Sequence, residues 1–349
     1  MSASRPAVSV VVAAYNAGRE LRILFESLCA SRFRDLEVCV CDDASTDDTR
    51  KVIESFSGRL AVRCAVNKAN RGATYSRNRA LALASAPLLL FLDADVRLRP
   101  DTIGLLLARL EREKADVVDG VYSPAALDPG LFSDYYALFV HHSFLLAGPV
   151  TRYNVFNAWC ALCRADVMKA VGGHQEFPKG VEVENESLGR RIAARGYAIF
   201  LDPGIAVDHH WGGWRKLIFI FSRRVYWWVK IYFASGRRFE EALTTPGYAF
   251  GTAAFPLAAA SLSLPALPGL GPAVPAGAAL LFLAVFLSAY APFFAYAYRE
   301  RGGRFMCWCA LAAGFFSCLA CVSAAWSAVV ELCRFAATGR TTIPRETFQ

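Results

Sequence analysis

From residue 242 to residue 298 the chain carries no charged side chain. Coiled as an α-helix, this stretch would be roughly 85 Å long, against a bilayer hydrocarbon core of about 30 Å. One crossing cannot consume it and two can, with the proline- and glycine-rich segment Leu264–Gly277 as the turn between them. Phe305–Val330 is also free of charge and fits a third crossing. Apolar residues make up 55% of the chain, above the roughly 45–50% of ordinary soluble domains, and the excess lies here. The C-terminal part is therefore expected to be a transmembrane region of about three helices, residues 241–335, followed by a tail, 336–349.

The net charge of +8 has a telling location. Trp214–Phe233 mixes Arg215, Lys216, Arg223, Arg224 and Lys230 with aromatic side chains just before the first crossing. Tryptophan and tyrosine settle at the headgroup level, and lysine and arginine attract anionic lipid. Residues 211–240 thus read as an interfacial basic–aromatic helix. The adjacent crossings argue against a nucleic-acid partner for the same charges. Arg299, Arg301 and Arg304 place the loop between the second and third crossings in the cytoplasm. Three crossings would send Arg334, Arg340 and Arg345 outward, against the same bias. Either the third segment does not fully cross or the tail is an exception.

The apolar run after Arg5 is short and breaks at Tyr15–Gly18, so it does not read as a secretory signal, and the front half is expected to stay in the cytoplasm. Eleven scattered cysteines suit that compartment. Cys160 and Cys163 have the spacing of half a zinc site, but no second pair matches them, and they read as buried strand residues.

Short apolar runs at Val8–Ala14, Leu36–Cys41, Leu60–Ala65, Leu88–Leu92 and Val117–Val121 predict strands covered on both faces. Helical spacing predicts helices over Arg19–Ala30, Asp47–Phe56, Thr74–Ala84 and Asp101–Glu113, with Asp47 and Pro100 as starting residues. A further helix, Glu186–Arg195, is stopped by Gly196. This βαβ series implies an α/β domain with a mostly parallel, Rossmann-like sheet. No GxGxxG follows the first strand and no GxxxxGK[ST] occurs, which argues against dinucleotide oxidoreductases and P-loop NTPases.

Carboxylates end two of the apolar runs. Asp93-Ala94-Asp95 follows Pro87–Leu92, and alternation in an extended chain puts both acids on one side. Two acids so close repel unless a cation sits between them, and Mg²⁺ or Mn²⁺ takes oxygen ligands that it shares with substrate phosphates. Asp42-Asp43 follows Leu36–Cys41, where one of the pair can accept hydrogen bonds from a base or ribose. An open α/β sheet binds its ligands at these C-terminal strand ends.

The runs VSVVVAAYNAG, CDDASTDDT, NRGATYSRNRAL and LFLDADVRLRPDT, in this order and spacing, resemble the family 2 glycosyltransferases. The similarity spans roughly residues 7–210 and implies the GT-A nucleotide-diphospho-sugar transferase fold for residues 1–210. It implies that Asp42 or Asp43 contacts the base of a nucleotide-sugar, with Ala14 and Tyr15 lining the pocket and Arg77 and Asn78 close by. Asp93 would face ribose and metal, Asp95 the metal, Mg²⁺ or Mn²⁺, and His209 would stand near metal or phosphate. Glu184–Tyr197, ENESLGRRIAARGY, is similar to the acceptor-site motif EDxxLxxR…GY, with Asn185 at the position of the usual catalytic Asp. An amide cannot take a proton from the acceptor. Glu184, Glu186 or the nearby Glu182 is therefore expected to act as base, with Asn185 orienting the acceptor. Phe132–His210 also contains His141-His142, expected to form the acceptor side or to pack on the membrane.

The expected protein is a membrane-bound inverting glycosyltransferase with a cytoplasmic catalytic domain. It would move a sugar from a nucleotide-sugar to a lipid-linked or saccharide acceptor in cell-envelope glycan synthesis. Transfer to polyprenyl phosphate, which needs no strong base, and a non-catalytic membrane scaffold of the same fold are the alternatives.

Overall fold

A computed structural model describes residues 5–177, 183–234, 246–263, 271 and 273–343. The chain divides into two compact units. The first comprises Met1–Leu127 and Ala147–His210, and the second Asp128–Leu146 and Trp211–Glu346.

The elements of the front half follow in order: β1 (Val8–Ala14), α1 (Gly18–Ala30), β2 (Leu36–Asp42), α2 (Thr49–Ser55), β3 (Val62–Val66), α3 (Ala73–Leu81), β4 (Leu88–Asp93), β5 (Val96–Arg97), α4 (Thr102–Arg112) and β6 (Val117–Ala126). Then come α5 (Leu131–Leu145), β7 (Thr151–Tyr153), β8 (Cys160–Arg164), α6 (Ala165–Val171), α7 (Glu184–Ala194) and β9 (Ile199–His209). Among the described residues the sheet has the order β3-β2-β1-β4-β8-β6-β9-β5, with β7 paired to β9. The β3–β2–β1–β4 half is parallel, whereas β8 runs antiparallel to both β4 and β6. Each expected strand is present, within two residues at its start, and β6 is longer than expected because it continues through Tyr122 to Ala126.

The apolar runs form strands because β-branched and aromatic side chains fit a pleated surface covered on both faces. Val10, Val12, Leu90 and Phe91 are fully buried, and each such side chain contributes about 1.5–3 kcal/mol. Asp47 serves two helix starts at once. Its carboxylate accepts the Gly18 N–H at 3.1 Å and the Thr49 N–H at 3.0 Å. This satisfies donors that a helix leaves unpaired in its first turn. Gly196 follows α7 with φ of +84°, the left-handed conformation that ends helices at glycine. Cys160 and Cys163 lie buried in β8, and burial pushes the Cys160 thiol up to about 12.

In the second unit α8 (Gly213–Phe219), a π-helical turn (Ile220–Arg224) and α9 (Val225–Ala234) follow one another without a break. Then come α10 (Pro246–Ser261) and α11 (Ala273–Thr338). Asp128–Leu146, inside the expected first domain 1–210, packs with the second unit. The reason is composition: α5 is buried along most of its length among aromatic rings. Tyr135 meets Phe293 and Phe316, His141 and His142 pack beside Tyr296, and His142 Nδ1 lies 2.9 Å from the Tyr248 hydroxyl.

Among the described residues α11 alone is long and apolar enough to cross a membrane. It is interrupted at Gly302, whose φ of +80° and ψ of +177° are open to glycine and not to a side-chain-bearing residue. The expected first crossing appears as the 16-residue α10, and residues 264–270 of the expected turn lie outside the described residues. Ala273–Gly277 is helical rather than part of that turn. The distal half of α11 is paired with the α8–α9 helix. Ser323 donates to the Ser222 carbonyl, Ser327 donates to the Tyr226 carbonyl at 2.6 Å, and Lys230 meets Glu331 at 2.8 Å. The constant offset of 101 residues means that the two helices run parallel.

Lys230 therefore differs from its expected headgroup role. It is 1% exposed, ion-paired to Glu331, and donates to the Thr342 hydroxyl at 2.9 Å. Removing one partner of a buried ion pair leaves an uncompensated charge and costs about 3–5 kcal/mol, whereas a well-packed apolar replacement of both is near neutral. Thermal unfolding of the detergent-solubilised chain is expected to show a large loss for Lys230→Ala and a small one for Lys230→Met combined with Glu331→Leu. Equal losses would contradict the pairing.

Candidate active site

The parallel register sets the site. Ala14 stands level with Asp42, and Ala13 level with Asp93, so the acids emerge together at the C-terminal edge of β1, β2 and β4. Ala14 is buried and Tyr15 is half exposed at the rim. Asp42 accepts the Ser45 N–H at 3.0 Å. Asp43 anchors the next loop: its carboxylate accepts Asn67 Nδ2 at 2.6 Å, Arg71 N at 2.9 Å and Gly72 N at 2.8 Å. The short loop into α3 is thus fixed by one buried acid, and α3 is aimed at the strand ends.

Arg77 projects from α3 into this edge. It is 7% exposed, and its Nη2 donates to Asp93 Oδ1 at 2.6 Å. Its Nη1 lies 3.9 Å from Glu184. Burial opposes the charge of this guanidinium, but Asp93 and Glu184 outweigh burial and raise its pKa above the ordinary value. Nε and Nη1 are buried without a hydrogen-bond partner among the described residues. Orphaned guanidinium donors are costly, and an anionic ligand would satisfy them.

Asn78, expected close to the nucleotide, bonds to the backbone of His174. Its Nδ2 donates to the His174 carbonyl at 2.7 Å, and its Oδ1 accepts the His174 N–H at 2.9 Å. Both ends of the amide are spent on the chain. Arg191 of α7 grips the same segment through the Val171 and Gly173 carbonyls, each at 2.8 Å. Residues 171–174 thereby brace α3 against α7. His174 lies against Phe91 and Phe156. Burial, with Arg77 and Arg191 nearby, holds its pKa well below the ordinary value, so the ring is neutral.

The other half of the DxD reaches β9. Asp95 Oδ2 lies 3.2 Å from His209 Nε2, and the Asp95 carbonyl accepts the His210 N–H at 3.2 Å. Strand β5 makes this possible by pairing Val96 with His209. The sequence therefore named three residues that the fold brings to one edge: Asp93, Asp95 and His209. No group of three His, Cys, Asp or Glu side chains among the described residues is arranged to enclose an ion. Mg²⁺ and Mn²⁺ usually take one or two carboxylates and complete their shell with substrate phosphates. The partly exposed Asp93 and Asp95 fit that shared mode.

Glu184, Asn185 and Glu186 form the first turn of α7. The Glu184 carboxylate faces Arg77, and Asn185 Oδ1 is buried without a partner among the described residues. The Asn185 carbonyl accepts the Phe156 N–H at 3.1 Å, which ties α7 to the loop before β8.

Sequence reasoning missed Asp119, Tyr122 and Trp159. Asp119 is fully buried in β6, and its Oδ2 accepts the Asn157 N–H at 2.9 Å. Its Oδ1 has no partner among the described residues. Burial pushes this carboxyl well above the usual carboxylate range. The one available signal was an acid inside an otherwise apolar strand run.

Residues 9–162 match the family model Glycosyl transferase family 2. The chain carries a glycosyltransferase family 2 domain. It is 26% identical over 196 residues to the Escherichia coli UDP-Glc:alpha-D-GlcNAc-diphosphoundecaprenol beta-1,3-glucosyltransferase WfaP, covering 54% of this chain and 71% of that protein. It is 34% identical over 109 residues to an Escherichia coli chondroitin synthase, covering 31% of this chain and only 16% of that protein. Among solved structures it is similar to the mannosyltransferase PcManGT of Pyrobaculum calidifontis, in complex with GDP-Man and Mn²⁺. The TM-score is 0.56 at 20% identity, over 93% of this chain and 88% of that one. The fold of the first unit is GT-A-like.

Asp119 yields a pH prediction. A carboxyl whose folded pKa is raised contributes its full stability below the unfolded value and loses it as pH rises through the folded one. Asp119→Asn keeps an oxygen for the Asn157 N–H and removes the titration. Its melting temperature is expected to exceed that of the parent, with a gain that grows as pH rises above the ordinary carboxylate range. A gain independent of pH, or a loss at the higher pH, would contradict the protonated carboxyl.

Proposed function

We propose that the chain transfers a sugar, with inversion, from a nucleotide-sugar to a saccharide carried on a membrane lipid, as a step in cell-envelope glycan synthesis. The observation that carries this reading is Arg77, buried at the strand ends with unsatisfied donors beside Asp93. This is a setting for the diphosphate of a nucleoside-diphosphate sugar. The name of WfaP, which specifies a diphosphoundecaprenol-linked acceptor, supports the lipid-linked class. The broken apolar helix α11 supports a membrane location. The reading puts the α/β unit on the cytoplasmic side and more than one crossing in the C-terminal region.

In this reading the base rests on the floor made by Ala14, Tyr15, Asp42 and Asp43. Arg77 donates to the diphosphate. Asp93 and Asp95, with His209 close by, would hold Mg²⁺ or Mn²⁺, which when bound neutralises charge on the leaving diphosphate. Glu184 takes the proton of the acceptor hydroxyl as that oxygen attacks the anomeric carbon. The C–O bond to the diphosphate breaks, and its electron pair leaves with the nucleoside diphosphate. Asn185 Oδ1 accepts a hydrogen bond from the acceptor and orients it. A second reading rests on Asn185 itself. If the acceptor is a lipid phosphate, already an anion, no base is required.

The test is turnover of UDP-, GDP- and dTDP-sugars by the purified full chain with Mg²⁺ or Mn²⁺ and membrane lipid extract. One donor is expected to release nucleotide, and Asp93→Asn with Asp95→Asn to abolish the release. Glu184→Gln is expected to lower kcat by about 10²–10⁴-fold. Full activity of both Glu184→Gln and Glu186→Gln would overturn the base assignment and favour the phosphate acceptor.

A further inference from the structure

Tyr122 and Trp159 stack beside the DxD, with ring centroids 4.7 Å apart and planes within 18°. Tyr122 is 8% exposed, whereas Trp159 keeps part of its surface open. Against Tyr122 lies the His209 ring at 4.6 Å, whose Nε2 is 3.2 Å from Asp95. The loop that carries Trp159 is fixed at two points. Phe156 N–H donates to the Asn185 carbonyl, and Asn157 N–H donates to Asp119. Through His209 the Tyr122 side of the pair adjoins Asp95 of the DxD, and its supporting loop is tied to the first turn of α7.

Packing alone would account for Tyr122, which the sheet covers. It does not account for a tryptophan left partly open, held nearly parallel to a neighbour that adjoins the DxD through His209, on a loop tied to a carboxylate-bearing helix end. A pyranose ring presents C–H bonds on its face and hydroxyls on its edge. An aromatic face takes the former, and carboxylates such as Glu184 take the latter.

We propose that the Trp159–Tyr122 stack is the platform for the pyranose ring of the acceptor, so that the acceptor is a saccharide and not a bare lipid phosphate. The proposal rests on the sugar-transfer reading above. Trp159 is then a specificity-determining residue, with Tyr122 setting the plane of its indole and Asp119 positioning its loop.

The test uses the full chain in detergent with Trp159→Phe and Trp159→Leu, octyl glycosides as saccharide acceptors and farnesyl phosphate as phosphate acceptor. The parent is expected to glycosylate an octyl glycoside in preference to farnesyl phosphate. Trp159→Leu should raise KM for that glycoside about tenfold or more, and Trp159→Phe should change it little. Calorimetric binding of the nucleoside diphosphate should stay unchanged in both variants, which also reports folding. Should Trp159→Leu fail to fold, the fluorescence change on adding octyl glycoside is compared between parent and Trp159→Phe, and loss of that change is expected. An unchanged acceptor KM in Trp159→Leu would overturn the platform. So would a raised donor KM for hydrolysis without acceptor, or preferred use of farnesyl phosphate. Absence of any donor turnover by the parent would overturn sugar transfer itself, and the platform with it.

Discussion

The register of three parallel strands governs the first unit. Because β1 pairs with β2 and β4 without a slip, Ala14, Asp42 and Asp93 arrive at one edge. A one-residue slip of β4 would turn Asp93 to the opposite face and break its 2.6 Å contact with Arg77. The register is held by apolar side chains buried on both faces of the sheet, which makes the shift prohibitively costly. Positive charge is then delivered to the edge by α3, whose start is fixed by Asp43. Stability and chemistry therefore share one set of constraints: the buried strands determine where the acids emerge, and one of those acids determines where the arginine goes.

Much of this was legible in the sequence because strand periodicity and strand-end acids are local signals. The runs ending at Asp42 and Asp93 needed no tertiary information to be recognised. Three things were not legible. Asn78 sits in the helix-start pattern with Arg77, yet its amide is consumed by the His174 backbone, a contact 96 residues away in the chain. Tyr122 and Trp159 lie on elements far apart in the chain, so their stack has no spacing that a sequence could betray. Asp128–Leu146 reads as part of the α/β domain by position. Its aromatic content instead finds burial among Phe293, Tyr296 and Phe316 of α11.

The second unit follows a different rule. Its helices are apolar around most of their circumference, so polarity marks contacts rather than exposure. Ser323, Ser327 and Glu331 form a line on α11 that meets Ser222, Tyr226 and Lys230. Such polar lines specify register between helices where apolar packing alone would allow sliding. Charge counting along the sequence treated Lys230 as free to reach the headgroups, but its partner Glu331 lies 101 residues away. The glycine break at Gly302, by contrast, falls within the Arg299–Arg304 segment expected to separate the second and third crossings.

The central claim is that the strand-end acids and Arg77 together receive a divalent ion shared with a nucleoside diphosphate. Electron paramagnetic resonance of Mn²⁺ tests it most directly, titrating the full chain with Mn²⁺ alone and with UDP or GDP present. The account predicts weak Mn²⁺ binding by the protein alone and strong binding once one nucleoside diphosphate is added. Asp95→Asn and Arg77→Met should each abolish the enhancement. Mn²⁺ binding that neither nucleotide strengthens, or that survives both substitutions, would contradict it.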